Sequence, residues 1–84
     1  MVNEHVVATG FDDGEGVLVD LDKKRYYRLN ETAMLVWRGL EEDAPFEAIV
    51  KQMTDTYDIG VEHATASVRR ILGELESYKL ARVR

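Results

Sequence analysis

The spacing of apolar residues changes at Asn30, from the two-residue repeat of strands to the wider repeat of helices. Before this point, three β-branched or aromatic runs, residues 5–11, 17–21 and 25–29, are separated by short polar or glycine-containing turns. Strands joined by such short turns pair antiparallel, because a parallel pair needs a long crossover connection. The first third of the chain therefore predicts a three-stranded antiparallel sheet.

The predicted strands alternate their side chains between two faces. In the second strand, the residues that share one apolar face are Val17, Val19 and Leu21. In the third strand, Tyr27 and Leu29 share one face, and Tyr26 and Arg28 share the other. We expect Tyr27 and Leu29 to point toward the core.

Three helices follow the strands. Asn30 is a good N-cap for the first helix, which ends at the acidic residues 41–43. Pro45 is expected at the first position of the second helix, the third is predicted over residues 61–79, and residues 80–83 alternate like a short closing strand. The apolar stripes of the three helices are Ala33, Val36, Trp37 and Leu40; Phe46, Ile49, Val50, Met53 and Tyr57; and Val61, Ala64, Val68, Leu72 and Leu75.

These elements predict one α+β domain over residues 1–84, a three-stranded antiparallel sheet followed by three helices. A chain of 84 residues can hold a single modest core. Three helices and an antiparallel hairpin are the parts of a small winged-helix-like domain, here with the strands first.

The residue inventory argues against an enzyme. The chain has no Cys, and its two Ser and two His offer few ways to pair a nucleophile with a base. His63 and Ser67 lie four residues apart on the third helix and could touch, but exposed helix positions explain them more simply. Because no spacing matches a metal or nucleotide motif, we expect no catalytic residues, no metal and no cofactor.

The charge distribution argues against nucleic acid as a partner. The net charge is −5, and residues 1–22 contain six acids but no Lys or Arg, which disfavours a phosphate backbone. A small winged-helix DNA-binding regulator stays open as an alternative, because Arg69 and Arg70 lie together on the third helix. No apolar run reaches the roughly 18 residues of a membrane span, and the first residues do not resemble a signal peptide. We expect a cytoplasmic protein.

A free sheet edge beside a helix is a receptor for an extended peptide, because backbone hydrogen bonds give affinity and side-chain pockets give specificity. The third strand would offer the edge, and the helix wall would be Ser67, Ile71, Glu74 and Tyr78. The bases beside the edge are Lys23, Lys24, Arg25 and Arg28. They favour an acidic peptide, or they form a solvated turn that prevents edge-to-edge aggregation, and both interpretations stay open.

The run RYYRLNETAMLVW, residues 25–37, resembles the signature of the PqqD family. This family comprises the pyrroloquinoline quinone (PQQ) biosynthesis D proteins and the related recognition elements for RiPP precursors, the ribosomally made and later modified peptides. Residues 16–21 match its second strand, residues 46–59 its second helix and turn, and residues 68–75 its last helix. The resemblance covers about residues 5–82.

The resemblance implies a non-catalytic adaptor. Such proteins bind the leader of a precursor peptide as an added antiparallel strand between the third strand and the third helix. They present it to a modifying enzyme, often a radical SAM protein. The peptide-binding positions implied by the resemblance are Arg25, Tyr26, Tyr27, Arg28, Leu29, Ser67, Arg70, Ile71, Glu74 and Tyr78. Asn30, Trp37 and Leu72 resemble scaffold positions, which we assign to cap and core.

Three positions depart from the family pattern. Lys79 precedes Leu80 where many members have Gly, and Ser67 and Ile71 stand where an acid and an aromatic residue are common. Two of the three, Ser67 and Ile71, belong to the predicted helix wall, so the departures bear on which peptide is recognised.

Two further questions stay open at this stage. A structural subunit of an enzyme assembly is another alternative, in which the free edge pairs with a second protomer, so the chain is a monomer or an edge-paired or swapped dimer. The acids at 41–43 meet the negative end of a helix dipole. A contact with the partner enzyme is one hypothesis for them.

Overall fold

The computed structural model describes residues 2–82. Its elements are β1 Val6–Gly10, β2 Gly16–Asp20, β3 Arg25–Leu29, α1 Glu31–Glu41, α2 Phe46–Thr56 and α3 Val61–Ser77. The three strands form one antiparallel sheet in the order β1-β2-β3. This architecture confirms the predicted α+β fold, and the predicted bounds of the strands and of α3 agree with the observed ones to within two residues.

The core lies between the helices and one face of the sheet. Leu18, in the middle of β2, is 0% exposed, and its partner Tyr27 on β3 packs against the same core. Val17 and Val19 do share a face, but it is the face turned away from the helices, here called the outer face, and the adjoining Leu21 is 59% exposed. Because β2 has apolar residues on both faces, with Leu18 on one and Val17 and Val19 on the other, the two-residue period alone does not identify the face that is buried.

Asn30 is the N-cap of α1, as predicted. Its Oδ1 accepts hydrogen bonds from the backbone N–H of Ala33 and from the hydroxyl of Thr32, both at 3.0 Å. The cap satisfies one of the free N–H groups at the start of the helix. It also fixes the turn by which the chain leaves β3 at Leu29 and enters the helical half of the molecule.

A Schellman motif ends α1 and accounts for the last acid of the run at 41–43. The N–H of Ala44 donates to the carbonyl of Gly39 at 2.9 Å, and the N–H of Asp43 donates to the carbonyl of Leu40 at 3.0 Å. The motif needs a left-handed residue just beyond the helix, and Asp43 has a φ of 58°. Asp is among the few non-glycine residues that adopt this conformation readily.

The starts of α2 and α3 correct two predictions. Pro45 is the N-cap of α2 and not its first helical residue, because its ψ of 159° is extended. Its carbonyl accepts the first helical bond, from the N–H of Ile49 at 3.2 Å. Val61 was expected in the core but is 66% exposed. It begins α3 one turn before Ala64, the first residue of that helix to be buried.

The two ends of the described chain meet beside the C-terminal end of α3. Val2 forms an isolated antiparallel bridge with Ala81, and the Asn3 N–H donates to the carbonyl of Leu80 at 2.9 Å. The predicted closing strand over residues 80–83 is thus a single bridge, and Val83 lies outside the described residues. Within residues 2–82, none of the helices is long and apolar enough to cross a bilayer.

Candidate peptide-binding groove

A groove of about 510 Å³ lies between the start of β3 and the end of α3. Its lining residues are Lys23, Arg25, Tyr27, Ser77, Tyr78 and Lys79. β3 is the last strand in the sheet order and pairs only with β2 on its other side. The groove therefore lies beside a strand edge whose outward N–H and C=O groups are available to a further strand.

Two tyrosines meet across the groove. The rings of Tyr27 and Tyr78 have their centroids 5.1 Å apart and are tilted by 45°. Tyr27 is half-buried against the core, whereas Tyr78, the C-cap of α3, is 51% exposed. The pair gives the groove an aromatic surface that an apolar side chain of a bound peptide can cover.

The predicted helix wall reaches the groove only at its C-terminal end. Ser67, Ile71, Glu74 and Tyr78 follow one another at intervals of four, three and four residues, which places them on one side of α3. Of these four, Tyr78 contacts Tyr27 on β3 and lines the groove, whereas Ser67, Ile71 and Glu74 do not line it. Ser67 is half-buried and Glu74 is exposed along this wall.

Ile71 lies deeper than the sequence pattern indicated. It is 4% exposed and belongs to the core cluster, so it is not a flank residue beside the core stripe of α3. The buried stripe of this helix is wider than predicted and consists of Ala64, Val68, Ile71, Leu72 and Leu75. Ile71 would therefore contribute to a binding surface only by packing beneath the exposed side chains.

Three other predicted site residues point away from the groove or form an ion pair within the protein. Tyr26, 77% exposed, and Arg28 project from the outer face of β3. The guanidinium of Arg28 pairs with the Glu15 carboxylate at 3.1 Å. On α3, Arg70 pairs with Glu74 at 3.3 Å.

The structure thus brings Arg25, Tyr27 and Tyr78 together in the groove and separates Tyr26 and Arg28 from them. Leu29, the last residue of β3, is half-buried and packs against the core, as predicted.

The groove contains two residues that the sequence analysis did not select, Ser77 and Lys79. Lys79 follows the C-cap of α3 in a second Schellman motif, with its φ at 60°. The N–H of Leu80 donates to the carbonyl of Leu75 and that of Lys79 to the carbonyl of Glu76, both at 2.9 Å. The buried Leu80 that follows the helix end is the sequence signal that could have indicated this turn.

Cations dominate the charge of the groove. Lys23, Arg25 and Lys79 line it, and within residues 2–82 none of the three side chains forms an ion pair. No acidic side chain lines the groove within the described part of the chain. This excess of positive charge occurs in a protein whose net charge is −5.

The α3 arginines are occupied with intramolecular partners. Arg70 is paired with Glu74, and the Arg69 guanidinium lies 5.7 Å from the centroid of the Phe46 ring, within cation–π distance. This arrangement gives the DNA-binding alternative no observation in its favour. Among residues 2–82, no group of three or more His, Cys, Asp or Glu side chains could hold a metal ion.

Comparison with known proteins gives one family and two related structures. The model for coenzyme PQQ synthesis protein D (PqqD) matches residues 15–81. The structure of TbiB1 in complex with the TbiA(beta) leader peptide is similar with a TM-score of 0.89 and 26% identity, over 99% of this chain and 95% of that chain. Lasso peptide synthetase B1, complexed with the leader peptide, shares the fold with a TM-score of 0.86 and 20% identity, over 99% and 96% of the chains. No curated protein sequence matches the chain.

Proposed function

Because this chain belongs to the family of coenzyme PQQ synthesis protein D, we propose that it is a non-catalytic adaptor for a ribosomally made precursor peptide. The leader of the precursor binds as an added antiparallel strand along the free edge of β3. The observation that carries the proposal is the groove beside that edge, with Tyr78 at the end of α3 on its other side. The similar TbiB1 structure contains a leader peptide, which supports the same role here.

The geometry explains how such a site would obtain affinity and specificity separately. An added strand forms backbone hydrogen bonds with β3 whatever its sequence, and alternate side chains then point toward α3. Those side chains would meet the Tyr27–Tyr78 pair and the wall that Ile71 supports. Recognition of a particular leader would therefore depend on every second residue of the bound segment.

The adaptor role requires a second partner. We propose that the complex presents the leader-bound precursor to a modifying enzyme in the cytoplasm, a radical SAM protein being the class that the family resemblance implies. The chain itself supplies the binding surface, and the chemistry belongs to the enzyme.

A titration tests peptide binding directly. The probe is the synthetic leader of the short precursor encoded nearest to the gene, added to isotopically labelled protein while amide NMR signals are recorded. We expect saturable shifts in residues 23–29 and 64–79, which include β3 and most of α3. Saturable shifts confined to other segments, or none with the neighbouring precursors, would overturn the proposal.

A pair of aromatic variants localises the site. Tyr78→Ala removes the ring that faces Tyr27, and we expect about tenfold weaker binding of the leader, in the range of a buried aromatic contact. Phe11→Ala is the matched control, because Phe11 is a comparably exposed aromatic residue (44% against 51%) that precedes the β1–β2 turn. Equal losses in the two variants would place the peptide outside the groove.

A further inference from the structure

We infer that the cations at the end of the groove, Lys23, Arg25 and Lys79, recognise a carboxylate side chain in the C-terminal half of the bound leader segment. This inference rests on the proposed function and makes it more specific. It assigns the charge preference to one end of the bound strand and to residues from two separate elements, the approach to β3 and the turn after α3.

The first observation is the convergence of unpaired charge. The cations of the described chain that do form ion pairs include Arg28, Lys51 and Arg70, each with a nearby acid. Lys23, Arg25 and Lys79 form none within residues 2–82, although they share one groove with no acid in its lining. A carboxylate bound in this groove would be attracted by all three charges.

The second observation is the backbone of Lys79. Its φ of 60° lies in the left-handed region, which is strained for a residue with a Cβ and costs glycine nothing. The Schellman motif that ends α3 requires this conformation whatever residue is present. Position 79 is therefore one where glycine would be more stable, and the lysine that occupies it is a lining residue of the groove.

The fold also holds the Lys79 main chain in place. The side-chain amide of Asn3 donates to the Lys79 carbonyl at 3.2 Å, and the buried Leu80 anchors the next residue. The turn is thus fixed on both sides of the lysine, and its side chain extends from a rigid base. A fixed charge discriminates between peptide positions better than one on a mobile loop.

The polarity of the sheet decides which end of the leader meets these cations. β3 runs from Arg25 to Leu29, and the cationic end of the groove lies beside Arg25. A strand added antiparallel to β3 passes Leu29 first and Arg25 last. The carboxylate therefore belongs to the C-terminal half of the segment that pairs with β3.

The decisive variant changes stability and affinity in opposite directions. Lys79→Gly should relieve the left-handed strain and raise Tm by about 2–5 °C, while the leader binds about three- to tenfold more weakly because one cation is lost. Asp43→Gly is the matched control, because Asp43 is also a left-handed residue, with a φ of 58°, but it lies at the end of α1 and does not line the groove. It should raise Tm similarly and leave the affinity within about twofold.

The peptide side of the contact is tested with charge changes. Synthetic leaders of the neighbouring precursor, amidated at the C-terminus, carry one Asp→Asn or Glu→Gln change each, and Kd is measured by fluorescence anisotropy. We expect the loss to be confined to an acid in the C-terminal half of the bound segment. Lys79→Gln, which removes the charge but keeps a polar side chain with a Cβ at this position, should abolish the sensitivity to that same acid.

The outcomes separate the inference from the proposed function. If the leader saturates the protein but Lys79→Gln binds it as the wild type does, or if the sensitive acid lies in the N-terminal half, the inference is wrong and the peptide-binding function stands. If no leader saturates the protein, the proposed function fails and the inference fails with it. The inference and the proposed function are both confirmed if Lys79→Gln binds the leader more weakly than the wild type and its Kd no longer changes when one acid in the C-terminal half of the bound segment is neutralised.

Discussion

At the scale of single residues, three non-glycine residues among residues 2–82 adopt the left-handed conformation, Lys24, Asp43 and Lys79, with φ values between 56° and 60°. Each one lies where the chain reverses after an element, in the β2–β3 turn or in a Schellman motif. The Schellman motif also accounts for Asp43, the last of the three acids at the end of the first helix. The turn requires a left-handed residue at this position, and Asp43 adopts that conformation. Its negative charge then lies near the negative end of the helix dipole, which is unfavourable.

A glycine at position 43 should therefore stabilise the protein. We expect Asp43→Gly to raise the free energy of unfolding by about 0.5–1 kcal/mol, measured by urea denaturation. Glu42→Gly is the control, because Glu42 has an ordinary φ of −83° and its replacement by glycine only adds freedom to the unfolded chain. A lower stability of both variants would contradict the role assigned to Asp43.

The contact between Tyr57 and Glu31 makes stability sensitive to high pH. Burial raises the pKa of the Tyr57 phenol, and the Glu31 carboxylate raises it further through charge repulsion and the hydrogen bond that the hydroxyl donates to Oε2 at 3.3 Å. The folded state thus favours the protonated phenol. Its contribution is complete below the unfolded pKa of about 10 and is lost as pH rises through the higher folded pKa.

The corresponding measurement is Tm against pH for the wild type and Tyr57→Phe. We expect the wild type to lose stability more steeply than Tyr57→Phe above a pH of about 10, since the phenylalanine variant has no phenol to ionise. Curves that remain parallel through that range would show that the folded protein does not shift the phenol.

At the scale of elements, the sequence predicted which segments form strands and helices, and missed details that depend on neighbouring elements. Asn30 as a cap and the switch from strands to helices follow from local chemistry, and both are confirmed. The exposure of Val61 and the burial of Ile71 depend on where α3 meets the rest of the core. Lys79 lies in the groove because the chain turns there after α3, and helical periodicity makes no prediction for residues in such a turn.

The buried position of Ile71 has a measurable consequence for α3. Ile71→Ala should lower the free energy of unfolding by about 2–4 kcal/mol, because it removes a side chain that is 4% exposed and leaves a cavity. Ser67→Ala, one turn earlier on the same wall, should change it by less than about 0.5 kcal/mol. A small effect of Ile71→Ala on the free energy of unfolding would show that this side chain lies at the surface, as the sequence pattern predicted.

At the scale of the whole molecule, the free edge of β3 is open to a second copy of the chain as well as to a peptide. Residues 23–28 carry four cations, two of which line the groove. A dimer joined through two such edges would carry eight cations along its shared strand pair, and repulsion between like charges opposes this association. The same basic run therefore supports both interpretations left open by the sequence, because it attracts an acidic peptide and opposes self-association.

This dual role predicts a monomer whose self-association is restrained by charge. In sedimentation velocity at low salt we expect one monomeric species, and the triple variant Lys23→Gln, Lys24→Gln, Arg25→Gln should form dimers at the same protein concentration. Lys51→Gln is the control, because it removes a cation that is paired with Asp55 on α2.

Since salt screens exposed charges, dimerisation of the wild type should also increase with ionic strength, and the leader peptide should reverse it by occupying the same edge. A wild type that dimerises at low salt, or a triple variant that stays monomeric, would show that charge does not protect this edge.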